Sequence, residues 1–194
     1  MATCSSATGT DVPARAVVLR VAHPGDADAI TAIYRDEVLG GTSSYETEPP
    51  DRDEMLRRMQ AVHAIGLPWL VADAGDRIVG FAYAAAYRSR PAYSWTVENS
   101  LYVDQDMRGL GVGRRLLETL IEHCTRLGYR RMIAVIGDET NIASVALHER
   151  VGFQRAARFP GIGFKHGRWL TGVQMQRALG EGDSKPPAPR GTTA

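Results

Sequence analysis

The chain has 194 residues, of which 44% are hydrophobic and 23% are charged, and its formal net charge is +1. This balance predicts one soluble globular domain, and the near-neutral charge argues against general binding to nucleic acid or to a membrane surface. Cys4 and Cys124 offer neither a disulfide framework nor metal-ligand spacing, so we expect no metal and a reducing, cytoplasmic location. No apolar run has the length of a membrane span.

The two ends of the chain differ in composition from the middle. Residues 1–16 have no basic-then-apolar signal-peptide layout, and residues 180–194 are rich in Pro, Gly and Ser. Both ends are expected to be disordered tails. A single domain is therefore expected over residues 17–179.

The first half of this domain is predicted to hold four strands and two helices. Short β-branched runs indicate the strands, and apolar residues at helical spacing behind Asp or Pro indicate the helices. A loop, residues 40–50, separates the two helices. In chain order the elements are a strand at 16–22, a helix at 23–39, a helix at 51–66, a hairpin of two strands at 67–87 and a strand at 94–103.

The second half is predicted to hold two helices and three strands. A strongly amphipathic helix runs to about Leu127, and "RRMIAVIG" (130–137) is so apolar that it predicts a central strand covered on both faces. A short helix ends at Gly152, and two strands flank a "KHG" turn within 153–179. The order β-α-α-β-β-β-α-β-α-β-β predicts an α+β fold around one mixed sheet, not a repeated βαβ series.

A glycine-rich turn, "RGLGVGR", precedes the amphipathic helix. The N-terminus of a helix has free N–H groups and a partial positive charge, and glycines let a ligand approach them closely. Such a turn favours phosphate or pyrophosphate, and Arg108 and Arg114 can add charge at its rim.

Three phosphate-binding motifs and one ligand-free alternative compete for this turn. A P-loop needs Lys then Ser or Thr after its last glycine, whereas Arg114 and Arg115 follow here. The dinucleotide fingerprint needs G-x-G-x-x-G in an early βαβ unit. The acyl-coenzyme A loop, R/Q-x-x-G-x-G/A, is matched by Arg108, Gly111 and Gly113. A structural turn without a ligand stays open on these residues alone.

The wider sequence resembles a known family. "LYVDQDMRGLGVGRRLL" and "AVIGDETNIASVALHERVGF" resemble the GNAT superfamily of N-acetyltransferases, and "YETEP", "RPAYSWTVENSLYV" and "GFKHGRW" resemble its phosphinothricin and methionine sulfoximine N-acetyltransferase branch. The resemblance covers nearly all of residues 17–179. It implies the GNAT fold, a mixed and mostly antiparallel central sheet flanked by helices, together with acetyl-CoA as co-substrate and a homodimer.

The same resemblance implies where the coenzyme binds. Acetyl-CoA would lie in a wedge between two central strands, with its pantetheine arm on one strand and its pyrophosphate on the glycine turn. For Leu101 and Val103 the alternative role is core packing, and for Asn141 it is a helix cap. The implied binding residues are Leu101, Tyr102, Val103, Arg108, Gly109, Leu110, Gly111, Val112, Gly113, Arg114 and Asn141.

Acetyl transfer needs a base, because an α-amine has a pKa of about 7.7–8.0 and is mostly protonated at neutral pH. The resemblance implies Glu98 as that base, and burial in an apolar strand would raise its pKa toward the working range. It places His148 where a proton donor to the leaving thiolate is expected, and histidine can perform either proton transfer. A surface-facing glutamate and a packed histidine are the structural alternatives.

The resemblance implies a small amino acid, or an analogue, as the acetyl acceptor. Arg90 and Arg88 are candidates for its carboxylate, and Tyr93 and Tyr45 for the pocket wall; a solvated loop is the alternative. Residues that would face the substrate side chain depart from the herbicide-inactivating pattern, so methionine sulfoximine or sulfone is as reasonable as phosphinothricin. Another amine acceptor and a non-catalytic acyl-CoA-binding module also stay open.

Overall fold

The computed structural model describes residues 17–187, and this part forms one seven-stranded sheet with four α-helices. The N-terminal tail predicted over residues 1–16 lies outside the described residues, as do residues 188–194. The observed order of strands and helices is the predicted one, and the α+β fold is confirmed. The elements are β1 Val18–Val21, α1 Ala27–Gly40, α2 Arg52–Ala64, β2 Trp69–Asp73, β3 Ile78–Ala86, β4 Thr96–Val103, α3 Val112–Arg126, β5 Arg131–Ile136, α4 Ile142–Arg150, β6 Gln154–Lys165 and β7 Arg168–Ala178.

The sheet has the order β1-β2-β3-β4-β5-β7-β6, and only β4 and β5 run parallel to each other. Their pairing begins at Thr96 with Arg131 and ends at Asn99 with Ala134. β4 continues to Val103 beside β3 alone. Past the Asn99–Ala134 pair the two central strands therefore separate, which creates the wedge implied by the resemblance.

Helices cover both faces of the sheet. Leu116 of α3 lies 3.3 Å from the position that a Cβ on Gly80 would take. Tyr34 of α1 packs edge-on against Tyr102, with ring centroids 5.0 Å apart, and Tyr102 packs against Phe81. Because Gly80 and Phe81 are consecutive in β3, they point to opposite faces. α3 and α1 are therefore on opposite sides.

β5 differs from its prediction. It is central, lying between β4 and β7, but its two faces are not equally covered. Met132 is fully buried, whereas Ile133 is half-buried and Val135 is 39% exposed. The apolar run was expected to be covered on both faces, and that expectation was wrong because Val135 borders the open wedge instead of a helix.

The described part of the predicted C-terminal tail, residues 180–187, forms turns beside the start of β5. Glu181 accepts hydrogen bonds from Arg130 at 3.3 Å and from Lys185 at 2.8 Å. Asp183 lies 3.4 Å from Arg131. Exposed ion pairs of this kind contribute little to stability, because solvent screens them.

The loop between α1 and α2 is held against the end of β5 and against the β6–β7 hairpin. The Tyr45 hydroxyl donates to the carbonyl oxygen of Gly137 at 2.7 Å. Lys165, which is 4% exposed, donates from Nζ to the carbonyl oxygen of Ser44 at 2.8 Å. His166 Nε2 donates to the carbonyl of Gly41 at 3.0 Å. These long-range contacts make the loop, residues 41–46, one wall of the wedge.

The ring of Tyr45 lies in a slot whose walls are glycines. A Cβ on Gly163 would lie 3.0 Å from Tyr45 Cζ, and one on Gly172 would lie 3.1 Å from its hydroxyl oxygen. A Cβ on Gly137 would lie 3.1 Å from the ring and 2.4 Å from the carbonyl oxygen of Thr42. A side chain at Gly163 or Gly172 would press on the ring more closely than ordinary packing allows, and one at Gly137 would clash with the carbonyl oxygen of Thr42.

Gly163→Ala should therefore lower the free energy of unfolding by about 1–3 kcal/mol, as overpacked substitutions do. The comparison is Gly40→Ala, where an added Cβ would meet nothing within 4 Å. Chemical denaturation measures both. In a Tyr45→Ala background the cost of Gly163→Ala should largely disappear; an undiminished cost there would mean that contact with the Tyr45 ring is not its cause.

Candidate active site

A cavity of about 220 Å³ occupies the wedge between β4 and β5. Its walls come from the loop after α1, from both central strands and from α4. Several of the predicted site residues meet here, although they are far apart in the sequence. The lining residues are Ser43, Ser44, Tyr45, Glu98, Asn99, Ser100, Leu101, Tyr102, Ala134, Val135, Ile136, Gly137, Asn141, Ser144 and His148.

Glu98 lies on β4 just before the strands separate, between Ala85 of β3 and Ile133 of β5. Its side chain is half-buried and lines the cavity. Burial raises the pKa of its carboxyl group, and the positive charge of Arg88 opposes that rise. Glu98 is thus placed as a carboxylate whose pKa is shifted toward the range of a general base. The alternative of a solvated surface glutamate is not what the structure shows.

His148 lies on α4 and is 4% exposed. Its Nδ1 is 2.8 Å from the carbonyl oxygen of Ser144, and its Nε2 is 3.1 Å from Nδ2 of Asn99. Its ring also packs edge-on against Phe153. Burial lowers the pKa of the imidazole, and the hydrogen bond to Ser144 only partly opposes this. The His148 side chain is therefore packed, as in the structural alternative, and it also forms part of the cavity wall.

The glycine turn has the geometry of an anion site. Gly109 and Gly111 have φ values of 78° and 84°, and a Cβ at either would meet nothing within 4 Å. α3 begins at Val112, and the N–H of Arg115 makes the first bond of the helix, to the carbonyl of Gly111 at 3.1 Å. The N–H groups of Val112 and Gly113, with that of Arg114, precede that bond and have no partner within the helix.

The side chains of the two arginines in the turn are hydrogen-bonded to other residues of the protein. Arg108 donates to Glu37 of α1 at 3.2 Å and to the carbonyl of Val103 at 3.1 Å. Arg114 donates to Glu118 on the helix surface at 2.8 Å. Arg108 thus joins the turn to α1 and does not stand free at the rim as the sequence suggested.

Residues 101–103 and Asn141 are on the two sides of the wedge. Beyond Asn99, β4 pairs only with β3, so the edge of Leu101–Val103 that faces β5 lacks a strand partner. Asn141 caps α4 through Ser144 and donates to the Ser43 hydroxyl at 3.3 Å. Asn141 and Leu101 both line the cavity, so the cap and packing roles are present together with exposure to the wedge.

The predicted acceptor residues divide into two groups. Tyr45 lines the cavity, but its hydroxyl is bonded to Gly137. Arg90 and Tyr93 are exposed in the loop after β3 and do not line the cavity. Arg88, in the same loop, lies with its guanidinium 5.0 Å from the centre of the Tyr87 ring, and its charge acts on Glu98. Of the two arginines, only Arg88 is among the charges that shift the pKa of Glu98, although Arg88 does not line the cavity either.

Sequence reasoning missed Asn99 and the serines of the cavity wall. Asn99 follows Glu98 directly, and the run of three consecutive polar residues, Glu98 to Ser100, in a strand was the available signal. Ser43 and Ser44 carried no signal, because their position depends on the loop contacts to the hairpin.

Residues 17–187 hold neither a candidate metal cluster nor a candidate membrane-spanning helix. No group of three or more His, Cys, Asp or Glu side chains in that range could hold a metal ion. No helix in the same part of the chain is long and apolar enough to cross a membrane.

The chain is similar to known acetyltransferases. Residues 28–153 match the model of the Acetyltransferase (GNAT) family. The chain is 45% identical to a phosphinothricin N-acetyltransferase of Alcaligenes faecalis, over 92% of this chain and 91% of that protein. It is 36% identical to an L-methionine sulfoximine/L-methionine sulfone acetyltransferase of Salmonella typhimurium, over 85% and 96%.

A solved structure is similarly close. It is a GNAT phosphinothricin acetyltransferase from Sinorhizobium meliloti in complex with acetyl-CoA. It has a TM-score of 0.86 and 44% identity, covering 89% of this chain and 94% of that one. With the family model matched over residues 28–153 and a relative 45% identical over 92% of the chain, this chain belongs to the GNAT acetyltransferase family.

Proposed function

We propose that the protein transfers the acetyl group of acetyl-CoA to the α-amine of a small amino acid or analogue, with Glu98 as general base. The observation that carries this proposal is the position of Glu98, a carboxylate with a raised pKa, in the wall of the cavity between β4 and β5. The named activities of the similar proteins support phosphinothricin, methionine sulfoximine or methionine sulfone as the type of acceptor.

The residues of the wedge suit a coenzyme with a diphosphate and an amide-bearing arm. The open turn at Gly109 and Gly111 offers N–H groups to the pyrophosphate. The edge of Leu101–Val103 without a strand partner offers backbone groups to the arm, and Asn141 lies on the opposite side. Bound acetyl-CoA supplies an activated thioester at this site.

Glu98 would remove a proton from the acceptor amine. An ammonium group cannot attack a carbonyl carbon, because its nitrogen has no lone pair. A carboxylate with an ordinary pKa, about 4.3, is a weak base toward an amine of pKa about 8. The raised pKa of Glu98 narrows that difference and makes the proton transfer easier.

The acceptor's carboxylate would be held by an arginine near Glu98. Arg88 is the stronger candidate because its charge reaches Glu98, so an amino acid could place its amine on the base and its carboxylate on the guanidinium. Arg90 and Tyr93 lie in the same loop and would contribute at its outer side, and Tyr45 would act as a wall.

A homodimer is the assembly that we propose. The β6–β7 hairpin exposes several large apolar residues, and large exposed apolar patches are unusual on a monomer surface. Trp169 is 68% exposed and packs edge-on against Phe164, which is itself 59% exposed. Phe159 and Ile162 on the same hairpin are also exposed.

The cytoplasmic location and the absence of nucleic-acid and membrane partners stay predictions.

The proposed reaction is tested by mixing the purified protein with acetyl-CoA and a panel of amines, and following the release of free thiol. We expect release with phosphinothricin, methionine sulfoximine or methionine sulfone, and none with spermidine. Coenzyme binding without thiol release across the whole panel would instead indicate a non-catalytic acyl-CoA-binding module.

Glu98→Gln should lower kcat by about 100- to 10,000-fold, the usual contribution of a general base, and leave the Kd for coenzyme unchanged. Because the base works only when ionised and its pKa is raised, kcat/KM of the native enzyme should fall as the pH drops through a value above the ordinary glutamate range. The Glu98→Gln variant should lack this decrease of kcat/KM at low pH. The control is Glu122→Gln, an exposed carboxylate on α3. A Glu98→Gln enzyme that keeps more than a tenth of native kcat would exclude Glu98 as the base.

Trp169→Asp should shift the protein from the mass of two chains to that of one in light scattering, because a buried unpaired charge opposes association. The matched control is Ile65→Asp, an exposed apolar residue after α2, which should leave the dimer intact. A native protein that is monomeric at micromolar concentration would refute the dimer.

A further inference from the structure

Asn99 has an unusual environment for a residue with no assigned role. It is the last residue of β4 that pairs with β5, and it lines the cavity at the point where the strands separate. Its side chain is 6% exposed. Its Oδ1 has no hydrogen-bond partner in the described part of the chain. A buried carbonyl oxygen without a donor is costly, so a partner is expected.

His148 determines which way the Asn99 carboxamide points. The carbonyl oxygen of Ser144 can only accept, so the His148 nitrogen 2.8 Å away, Nδ1, must hold a hydrogen. In a neutral ring Nε2 is then a bare acceptor, and the Asn99 atom 3.1 Å from it must be the donor, Nδ2. The chain Ser144–His148–Asn99 thus orients the amide, with Oδ1 directed away from the ring.

We propose that Asn99 is a further binding residue for acetyl-CoA, that its Oδ1 accepts an N–H from one of the two secondary amides of the pantetheine arm, and that His148 is the positioning residue that orients the carboxamide. This inference rests on the proposed use of acetyl-CoA, and it involves no proton transfer. The class of ligand group is an uncharged amide donor.

The placement of Glu98 and Asn99 divides the cavity between two substrates. They are consecutive in β4, so their side chains leave the strand on opposite faces. Glu98 lies on the face of the sheet that carries Tyr102 and α1, whereas Asn99 lies on the opposite face and contacts His148 of α4. The amine would approach Glu98 on one face, and the coenzyme arm would meet Asn99 on the other.

The same chain of hydrogen bonds limits what His148 can do. Its single N–H is already donated to Ser144, and its other nitrogen accepts from Asn99. The neutral ring has no hydrogen on the cavity side to give to a leaving thiolate. Of the two roles weighed from the sequence, proton transfer and packing, packing fits this geometry, and the structure adds the orienting contact to Asn99.

The first test is titration calorimetry with coenzyme A and acetyl-CoA. Asn99→Ala should raise Kd about tenfold, the scale of one lost hydrogen bond in a buried site. Gln60→Ala, which removes an exposed carboxamide on α2, should leave Kd unchanged. Native protein that binds while Asn99→Ala binds within twofold of it would overturn the inference and leave the proposed function intact. Native protein that does not bind would overturn both.

The second test separates positioning from mere packing. His148→Gln keeps an acceptor for Nδ2 of Asn99 and should hold Kd within about threefold of native, whereas His148→Leu, which fills similar space without an acceptor, should weaken binding as Asn99→Ala does. Thermal unfolding checks that both variants are folded. Equal binding by the Leu and Gln variants would remove His148 from the orienting role.

The third test reads the tautomer directly by ¹⁵N NMR of labelled histidine. His148 should be neutral with the hydrogen on Nδ1. In Asn99→Asp the new carboxylate can only accept, so the ring should take up a second proton at Nε2 and become cationic near neutral pH. The signals of His123 and His166 should not change. A cationic ring or an Nε2–H tautomer in the native protein would overturn the orienting role.

Discussion

The separation of β4 from β5 beyond the Asn99–Ala134 pair is the feature on which the rest of the site depends. Strand backbone groups must be hydrogen-bonded, and an interior sheet normally satisfies them by pairing. Here two central strands diverge, so the edge of Leu101–Val103 that faces β5 has no strand partner, although the carbonyl oxygen of Val103 accepts a hydrogen bond from Arg108. The cavity is bordered by these strands and by α4, and Gly113 of the glycine turn lies beside Leu101 and Val103. The proposed ligand would bond to the backbone groups that remain.

The wall opposite the strands is built by long-range contacts from the end of the chain. Tyr45 bonds to Gly137, and the buried Lys165 bonds to the Ser44 carbonyl. Burial of an ammonium group is expensive, and it lowers the pKa of Lys165. The β6–β7 hairpin therefore has two roles. It completes the sheet, and it holds the loop of residues 41–46 that bounds the cavity.

Electrostatics at the glycine turn depend on the backbone more than on side chains. Arg108 is paired with Glu37, and the same carboxylate accepts from the N–H of Ser43. One buried acid thus connects the turn to the loop after α1. The open positions of the turn are Gly109 and Gly111, and they lie directly before α3, whose N-terminus carries a partial positive charge.

The sequence by itself determined the order of elements, the glycine turn and the family, because each is encoded locally. Period-2 and period-3.6 patterns mark strands and helices wherever they lie, and the closely spaced glycines mark the turn before α3 as one that a ligand can approach. Glu98 could be named only through the resemblance, since alternation did not show which way its side chain points.

Only the tertiary structure decided the partners that lie far apart in the chain. Val135 is exposed because β4 leaves β5, and Arg108 is engaged because α1 brings Glu37 to it from 71 residues away. The orientation of the Asn99 side chain depends on His148, which lies 49 residues further along the chain. Local patterns carry no information on such pairs, because a hydrogen bond or a packing contact depends on distance in space and not on spacing in the sequence.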